Sequence, residues 1–227
     1  MRFFSDRGVY NSNPHAQNRL NERYNHIILP NLRHIEGKRV LDLGSYDGRW
    51  TWAALESGAS FVRGFEGRAT SMEVGKARIP ALWRDYAGRF EFEIGDVFDL
   101  LETVKPGEYD TILCLGLFYH ILNHERMIAL MARIEPEAIV IDSGLSPHKE
   151  AIARFYYEDT ADPSMGVSAR EKTLVGTISR GALAEFASVN GLSVDYIDWV
   201  AERIENPYQL DDYFKQIRWT CVLRPTA

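Results

Sequence analysis

The chain has 227 residues, of which 45% are hydrophobic, so it is long enough for one domain with elaborations around a full core. Its formal net charge of −6 and pI near 5.6 give no overall attraction to a phosphate backbone, which disfavours nucleic acid as a partner. Both cysteines lie in apolar runs, which predicts buried thiols in a reducing cytoplasm rather than a disulfide framework or a zinc site. Neither a signal peptide nor a membrane-spanning run is visible, so we expect a cytoplasmic protein.

The first 36 residues predict a helical extension that lies on the main domain. Asn13-Pro14 is typical of a helix start, and apolar residues follow it at helical spacing. If this helix covers the pocket, Tyr10, Arg19 and Arg23 could reach the carboxylate of a bound cofactor; a solvated helix face is the alternative for the two arginines.

From residue 37 onward, short apolar runs alternate with helical patterns. The runs predict strands at 39–43, 61–65, 90–94, 110–115 and 138–141. The patterns between them predict helices at about 48–57, 69–78, 97–104 and 123–134. Alternation of this kind predicts an α/β fold with a doubly wound, mostly parallel sheet.

The last third breaks this rhythm. Residues 143–178 contain Pro147, Pro163, Gly166 and Gly176 and predict an irregular, lid-like insertion into the main domain of 37–227. Ser179 then begins a helix that Gly191 ends. Two further strands, at 192–200 and 217–225, are joined by a polar linker long enough for antiparallel pairing.

Acidic residues follow three successive predicted strands, at the edge where ligands bind in open parallel sheets. Asp42 precedes the glycine-containing loop 44–48, where the main chain can approach a ligand closely, and it could accept from a ligand ammonium. Glu66 ends the second strand, in a position to accept hydrogen bonds from ribose hydroxyls. Asp96 with Val97 follows the third, where a carboxylate beside an apolar residue suits an adenine ring.

Four segments, VLDLGSYDG, GFEGR, GDVFDL and YDTILCLGLFYHI, together resemble the class I S-adenosylmethionine-dependent methyltransferases over roughly residues 38–142. The resemblance implies a seven-stranded, Rossmann-like sheet whose last two strands form an antiparallel C-terminal hairpin. It implies that the cofactor is bound by residues at four strand ends. These are Asp42, Gly44, Ser45, Tyr46 and Gly48 at the amino-acid end, Glu66 and Gly67 at the ribose, Asp96 and Val97 at the adenine, and Cys114 and Leu115 beneath the sulfonium.

A dinucleotide site is the alternative for the glycine loop. The pattern G-x-G-x-x-G would require glycine at positions 46 and 49, where this chain has Tyr46 and Arg49. S-adenosylmethionine has no phosphate, so a loop without these glycines is easier to reconcile with it. Tyr46 also replaces the middle glycine that is usual in the methyltransferase family.

Three residues are candidates for the chemistry, since an oxygen acceptor needs a base or a metal to remove its proton. His120 follows the fourth strand, and a neutral imidazole suits a general base; its alternative role is to support the next helix. Asp142 ends the fifth strand and could orient a base, hold a hydroxyl or bind a divalent metal such as Mg²⁺, or be a solvated acid. His148 is a second candidate base or a plain surface histidine. The aromatic stretch 155–163 is expected to close over the acceptor, and ordinary packing of a loop on the sheet is its alternative.

The resemblance implies methyl transfer, and the candidates His120, Asp142 and His148 lead to the hypothesis that the acceptor is a hydroxyl of a small molecule, such as a sugar or a natural product. The fourth-strand segment CLGLFYH lacks the Asn/Asp-Pro-Pro-aromatic sequence of enzymes that methylate exocyclic base amines. Two alternatives stay open. The segment YDTILCLGLFYHILNHERM is also similar to enzymes that modify the wobble uridine of tRNA, and the fold could serve as a non-catalytic binding module. A homo-oligomer also stays open.

Overall fold

A computed structural model describes residues 1–10, 13–160, 171–202, 204 and 206–226 of the protein. Nine strands are found in these ranges. They are β1 Arg39–Leu43, β2 Phe61–Glu66, β3 Phe90–Ile94, β4 Thr111–Leu115, β5 Ala138–Gly144, β6 Ala153–Asp159, β7 Lys172–Ile178, β8 Leu192–Ile197 and β9 Arg218–Pro225.

Seven of the strands form one sheet in the order β3-β2-β1-β4-β5-β9-β8. The first five are parallel, and β9 runs antiparallel between β5 and β8. The predicted fold class is confirmed, including the antiparallel C-terminal pair. Because β9 is antiparallel, its first residue, Arg218, lies at the same edge as the carboxyl ends of the parallel strands.

The sheet is flanked by helices on both faces. The helices are α1 Phe3–Asp6, α2 Pro14–Arg23, α3 Arg49–Glu56, α4 Ala69–Arg78, α5 Pro80–Asp85, α6 Val97–Thr103, α7 His124–Arg133, α8 Arg180–Val189 and α9 Asp211–Phe214. Side-chain caps begin α2, α6 and α8, where Asn13, Asp96 and Ser179 accept from backbone amides two or three residues on. A π-helical turn at Tyr24–Ile28 and a 3₁₀ turn at Leu29–His34 continue α2 toward β1.

Alternation along the strands divides the core into two layers. Val40 of β1 faces the layer that holds α1, α2 and α3, whereas Leu41 faces the layer of α6, α7 and α8. The predicted N-terminal extension is part of the first layer, since Phe3 is completely buried and its ring stacks on Tyr24 at 4.1 Å. This packing fixes α2 above the carboxyl edge of the sheet.

The expectation of an irregular segment at 143–178 is wrong where β6 and β7 lie, whereas residues 145–152 form neither helix nor strand. Residues of β6 and β7 form a separate two-stranded antiparallel ladder, with Tyr157 opposite Leu174. Aromatic and β-branched residues favour strands, and here they outweigh the proline and glycine signals on either side. Residues 161–170, which include Pro163 and Gly166, lie outside the described residues. Among the described residues, no helix is long and apolar enough to cross a membrane.

Candidate active site

A cavity of about 820 Å³ opens at the carboxyl edge of the sheet, a size typical of small-molecule sites. Its walls come from the loops after β1 to β4, from α2 and α3, from β7 and from the start of β9. Eight of the predicted cofactor residues line it, namely Gly44, Ser45, Tyr46, Glu66, Gly67, Asp96, Val97 and Leu115. The strand ends thus bring together the positions that the sequence pattern singled out.

The glycine loop is held in an unusual backbone conformation. Gly44, Tyr46 and Gly48 have φ angles of +69°, +50° and +77°, so Tyr46 adopts a region that non-glycine residues rarely occupy. The Tyr46 amide donates to Glu66 Oε2 at 2.9 Å, which ties the loop to the end of β2. A Cβ on Gly48 would lie 2.9 Å from the Phe92 ring, so this glycine serves packing and the start of α3 rather than the cavity.

Two other predicted cofactor residues lie behind the cavity wall. Asp42 is buried, and its Oδ2 accepts from the Thr51 hydroxyl at 2.7 Å, while no described residue donates a hydrogen bond to Oδ1. Burial raises the pKa of this carboxyl to about 7. Cys114 is completely buried, and burial raises the pKa of its thiol to about 12. Both residues support the floor beneath the loops.

Glu66 at the end of β2 and Asp96 after β3 line the cavity, and both can still accept hydrogen bonds. Glu66 accepts from the amides of Tyr46 and Arg68, the latter at 3.0 Å on Oε1. Asp96 accepts from the Phe98 amide at 2.8 Å through Oδ1, and no hydrogen bond from a described residue reaches Oδ2. A carboxylate oxygen accepts more than one hydrogen bond, so both groups can receive ligand donors.

His120 lies on the cavity wall and pairs with an acid from the β6–β7 ladder. Its Nδ1 is 2.7 Å from Glu158 Oε2, and the two side chains are only 9% and 8% exposed. A carboxylate only accepts hydrogen bonds, so this contact places the imidazole hydrogen on Nδ1 and leaves the Nε2 lone pair available. The arrangement suits a general base that a second residue orients.

Asp142 is not the available acid that the sequence predicts, because both of its carboxylate oxygens already accept hydrogen bonds. Its Oδ1 accepts from Arg23 Nη2 at 2.9 Å and from Arg218 Nε at 2.6 Å. Its Oδ2 accepts from the hydroxyls of Tyr213 and Thr220, both at 2.7 Å. Burial would raise the pKa of this carboxyl, but the two guanidinium groups outweigh burial and hold it well below its usual range. A carboxylate so fully occupied is a structural centre, not a free ligand for a metal or a base.

The remaining candidates divide between the site and the surface. His148 is exposed and does not line the cavity; its backbone carbonyl accepts from the Gly181 amide. Arg19 and Arg23 line the cavity, as expected if α2 covers it. Tyr10 instead donates to the buried Asp47 at 2.5 Å.

The side chains of the site do not fit a divalent cation. Among the described residues, no three His, Cys, Asp or Glu side chains are grouped so that they could hold a metal ion.

Sequence reasoning missed Glu158, Arg218 and Tyr119, all of which contribute to the site. Glu158 was within the aromatic stretch expected to cover the acceptor, but nothing in its spacing indicated a partnership with His120. Arg218 could have been found from topology, since the first residue of an antiparallel last strand meets the carboxyl ends of its neighbours.

A family model described as a methyltransferase domain matches residues 15–196 of the chain. Two curated relatives, ubiquinone biosynthesis O-methyltransferases from serogroup C and serogroup A strains of Neisseria meningitidis, are 28% identical over 118 and 116 residues. These alignments cover 52% and 51% of this chain but only 48% and 47% of the relatives. The chain thus spans about half the length of the curated relatives it matches.

Solved structures share the fold at low identity. The N-terminal domain of EvdMO1, crystallised in the presence of SAH and D-fucose, has a TM-score of 0.64 at 20% identity, covering 90% of this chain and 82% of that one. A 1,6-didemethyltoxoflavin-N1-methyltransferase of Burkholderia thailandensis has a TM-score of 0.58 at 16% identity, covering 88% and 78%. Because the family model covers most of the chain, from α2 to β8, the protein belongs to the methyltransferase-domain family, and the resemblance to class I S-adenosylmethionine-dependent methyltransferases is confirmed.

Proposed function

We propose that the protein transfers a methyl group from S-adenosylmethionine to a hydroxyl of a small molecule, such as a sugar or a natural product. The observation that carries this proposal is the His120–Glu158 pair on the wall of a cavity that also presents Glu66 and Asp96. The curated relatives are named as O-methyltransferases, and one structural neighbour was crystallised with D-fucose. Both names agree with an oxygen acceptor.

The residues at the strand ends fit the cofactor. Gly44 to Tyr46 would hold the amino-acid end, Glu66 with Gly67 the ribose, and Asp96 with Val97 the adenine. Phe65 and Phe98 also line the cavity and offer apolar surface on which a flat ring could pack. When bound, the cofactor supplies a methyl group on a sulfonium that is already a good leaving group.

The chain's own part is alignment and proton removal. His120 Nε2 takes the proton of the acceptor hydroxyl as the oxygen bonds to the methyl carbon and the carbon–sulfur bond breaks. Glu158 holds the ring through Nδ1 and stabilises the imidazolium that forms. Leu115, Leu117 and Ile121 line the cavity and exclude water from the reacting atoms. No step is routed through a metal, because Asp142 is occupied by arginines.

The test is methyl transfer in a panel of hydroxyl acceptors, measured as S-adenosylhomocysteine released and methylated product formed. His120→Asn should lower kcat by about 10²–10⁴, the usual contribution of a general base. Glu158→Gln should lower kcat less and shift the pH–rate profile. His148→Asn is the matched control, since this exposed histidine lies outside the cavity.

Three results would contradict the proposal. Full activity of His120→Asn, with a loss in His148→Asn, would assign the base elsewhere. Loss of transfer in the presence of a chelator, restored by Mg²⁺, would contradict a reaction that needs no metal. Binding of S-adenosylmethionine without turnover of any acceptor would favour the non-catalytic module.

A further inference from the structure

Arginines predominate among the charged residues that line the cavity, although the protein as a whole is acidic. The formal net charge is −6, yet the acids that line the cavity are Glu66 and Asp96 alone among the described residues. Against them stand five arginines, Arg19, Arg23, Arg49, Arg68 and Arg218. Carboxylates behind the cavity wall balance most of this positive charge, since Asp212 pairs with Arg19, Asp47 with Arg49, and Asp142 with both Arg23 and Arg218.

The excess charge is concentrated at the buried centre around Asp142. Two guanidinium groups, those of Arg23 and Arg218, share this one carboxylate, and their side chains are 9% and 11% exposed. Burial raises the pKa of the neighbouring Tyr213 hydroxyl, which therefore stays neutral and supplies no second negative charge. An unbalanced buried positive charge is costly unless an anion joins it.

Tyr119 links this centre to the proposed base. The Arg218 Cζ atom is 5.4 Å from the centre of the Tyr119 ring, and the Tyr119 and His120 ring centres are 4.0 Å apart. The Arg218 guanidinium also lies 3.9 Å from where a Cβ on Gly116, just past β4, would stand. One ring-sized molecule can therefore contact His120 and Arg218 together.

We propose that the methyl acceptor is an anion: a hydroxylated ring compound whose carboxylate or phosphate is held by Arg23 and Arg218 while its reacting hydroxyl lies at His120. Guanidinium groups bind both anions through paired hydrogen bonds. Arg23 Nη1 and Arg218 Nη1 make no hydrogen bond to a described residue, so each has donors left for a ligand. This inference rests on the proposed function, since it places the anion on the acceptor of that reaction.

The experiment compares acids with neutral esters that carry the same hydroxyls. Protein saturated with S-adenosylhomocysteine is titrated calorimetrically with D-glucuronate, with protocatechuate and with the methyl ester of each, and then with inorganic phosphate as a competitor. We expect at least one acid to bind tenfold or more tightly than its ester, and phosphate to weaken that binding. Arg218→Met should abolish the preference and Arg218→Lys should retain part of it.

Arg218→Met leaves the Arg23–Asp142 ion pair in place, and its melting curve verifies that it folds. Esters that bind as tightly as the acids would overturn the inference, and so would the failure of both acids to bind at millimolar concentration. A third contrary result concerns the cofactor. If Arg218→Met weakens binding of S-adenosylhomocysteine but not of methylthioadenosine, which lacks the amino-acid part, the anion is the cofactor's own carboxylate.

These failures differ from failure of the proposed function. Absence of S-adenosylhomocysteine binding, or methyl transfer that does not depend on His120, counts against the function itself. Normal cofactor binding with His120-dependent transfer to neutral hydroxyls leaves the function intact and removes only the anionic acceptor.

Discussion

Asp142→Asn tests whether the acid at the end of β5 is a structural charge centre or a free ligand. The substitution keeps the shape of the side chain but removes the charge that two buried guanidinium groups share. Breaking a buried ion pair from one side costs about 3–5 kcal/mol, because the remaining charge stays buried without a partner. For a domain of this size, that loss lowers the melting temperature by about 6–20 °C.

Urea unfolding and thermal melting of the apo protein measure the effect. Asp212→Asn is the matched control, since Asp212 pairs with Arg19 at 2.6 Å but is 29% exposed. A partly exposed pair contributes about 1 kcal/mol or less to the free energy of unfolding. The depressed pKa of Asp142 also sets a pH dependence: its stabilisation is present above the unfolded pKa of about 4 and is lost as the pH falls further. The Asp142→Asn variant has no carboxylate at this position, so its free energy of unfolding lacks this part of the dependence on pH.

The reasoning is refuted if Asp142→Asn melts no lower than Asp212→Asn. It is also refuted if Mg²⁺ stabilises the wild type but not the Asp142→Asn variant. Either result would restore the sequence-based interpretation of Asp142 as an available metal ligand.

Three further predictions concern the glycine loop and the cavity floor. Gly48→Ala should destabilise the protein by about 1–3 kcal/mol in urea unfolding, since it combines a positive φ with a clash on the Phe92 ring; an unchanged midpoint would contradict this. The buried thiols of Cys114 and Cys221, whose pKa values burial raises, should react with a thiol reagent only after unfolding; rapid labelling of the folded protein would contradict it. Because burial raises the pKa of Asp42 to about 7, its charged form opposes folding, and Asp42→Asn should gain about 3 kcal/mol relative to wild type between pH of about 5 and about 8. An equal stability difference at both pH values would argue against it.

The strand ends could be predicted from the sequence because hydrophobic periodicity and turn residues are local signals. Strands β1 and β3 have the predicted bounds, and α4 begins and ends as predicted at Ala69–Arg78. The acids at the ends of β2 and β3 then meet at one edge of the sheet, because the carboxyl ends of parallel strands lie together. This explains why Glu66 and Asp96 lie in the cavity as expected.

The partners of the charged residues could not be predicted, because they depend on which distant elements pack together. Arg23 and Asp142 are 119 residues apart in the chain, and His120 and Glu158 are 38 apart. Burial and partners determine whether an acid is free or occupied. Hydrophobic periodicity gives neither the burial nor the partners of a side chain, so the sequence alone predicts an open strand-end acid at Asp142.

The central claim is that the cavity at the carboxyl edge of β1 to β4 binds the methyltransferase cofactor. Calorimetric titration with S-adenosylhomocysteine tests it most directly, with wild type, Glu66→Ala and the control Glu93→Ala. Glu93 is an acid of β3 that pairs with Arg63 and does not line the cavity. The account predicts saturable binding to wild type and Glu93→Ala and at least tenfold weaker binding to Glu66→Ala, a loss of about 1.4 kcal/mol or more. Absence of binding to wild type at millimolar ligand, or equal affinity of Glu66→Ala, would contradict it.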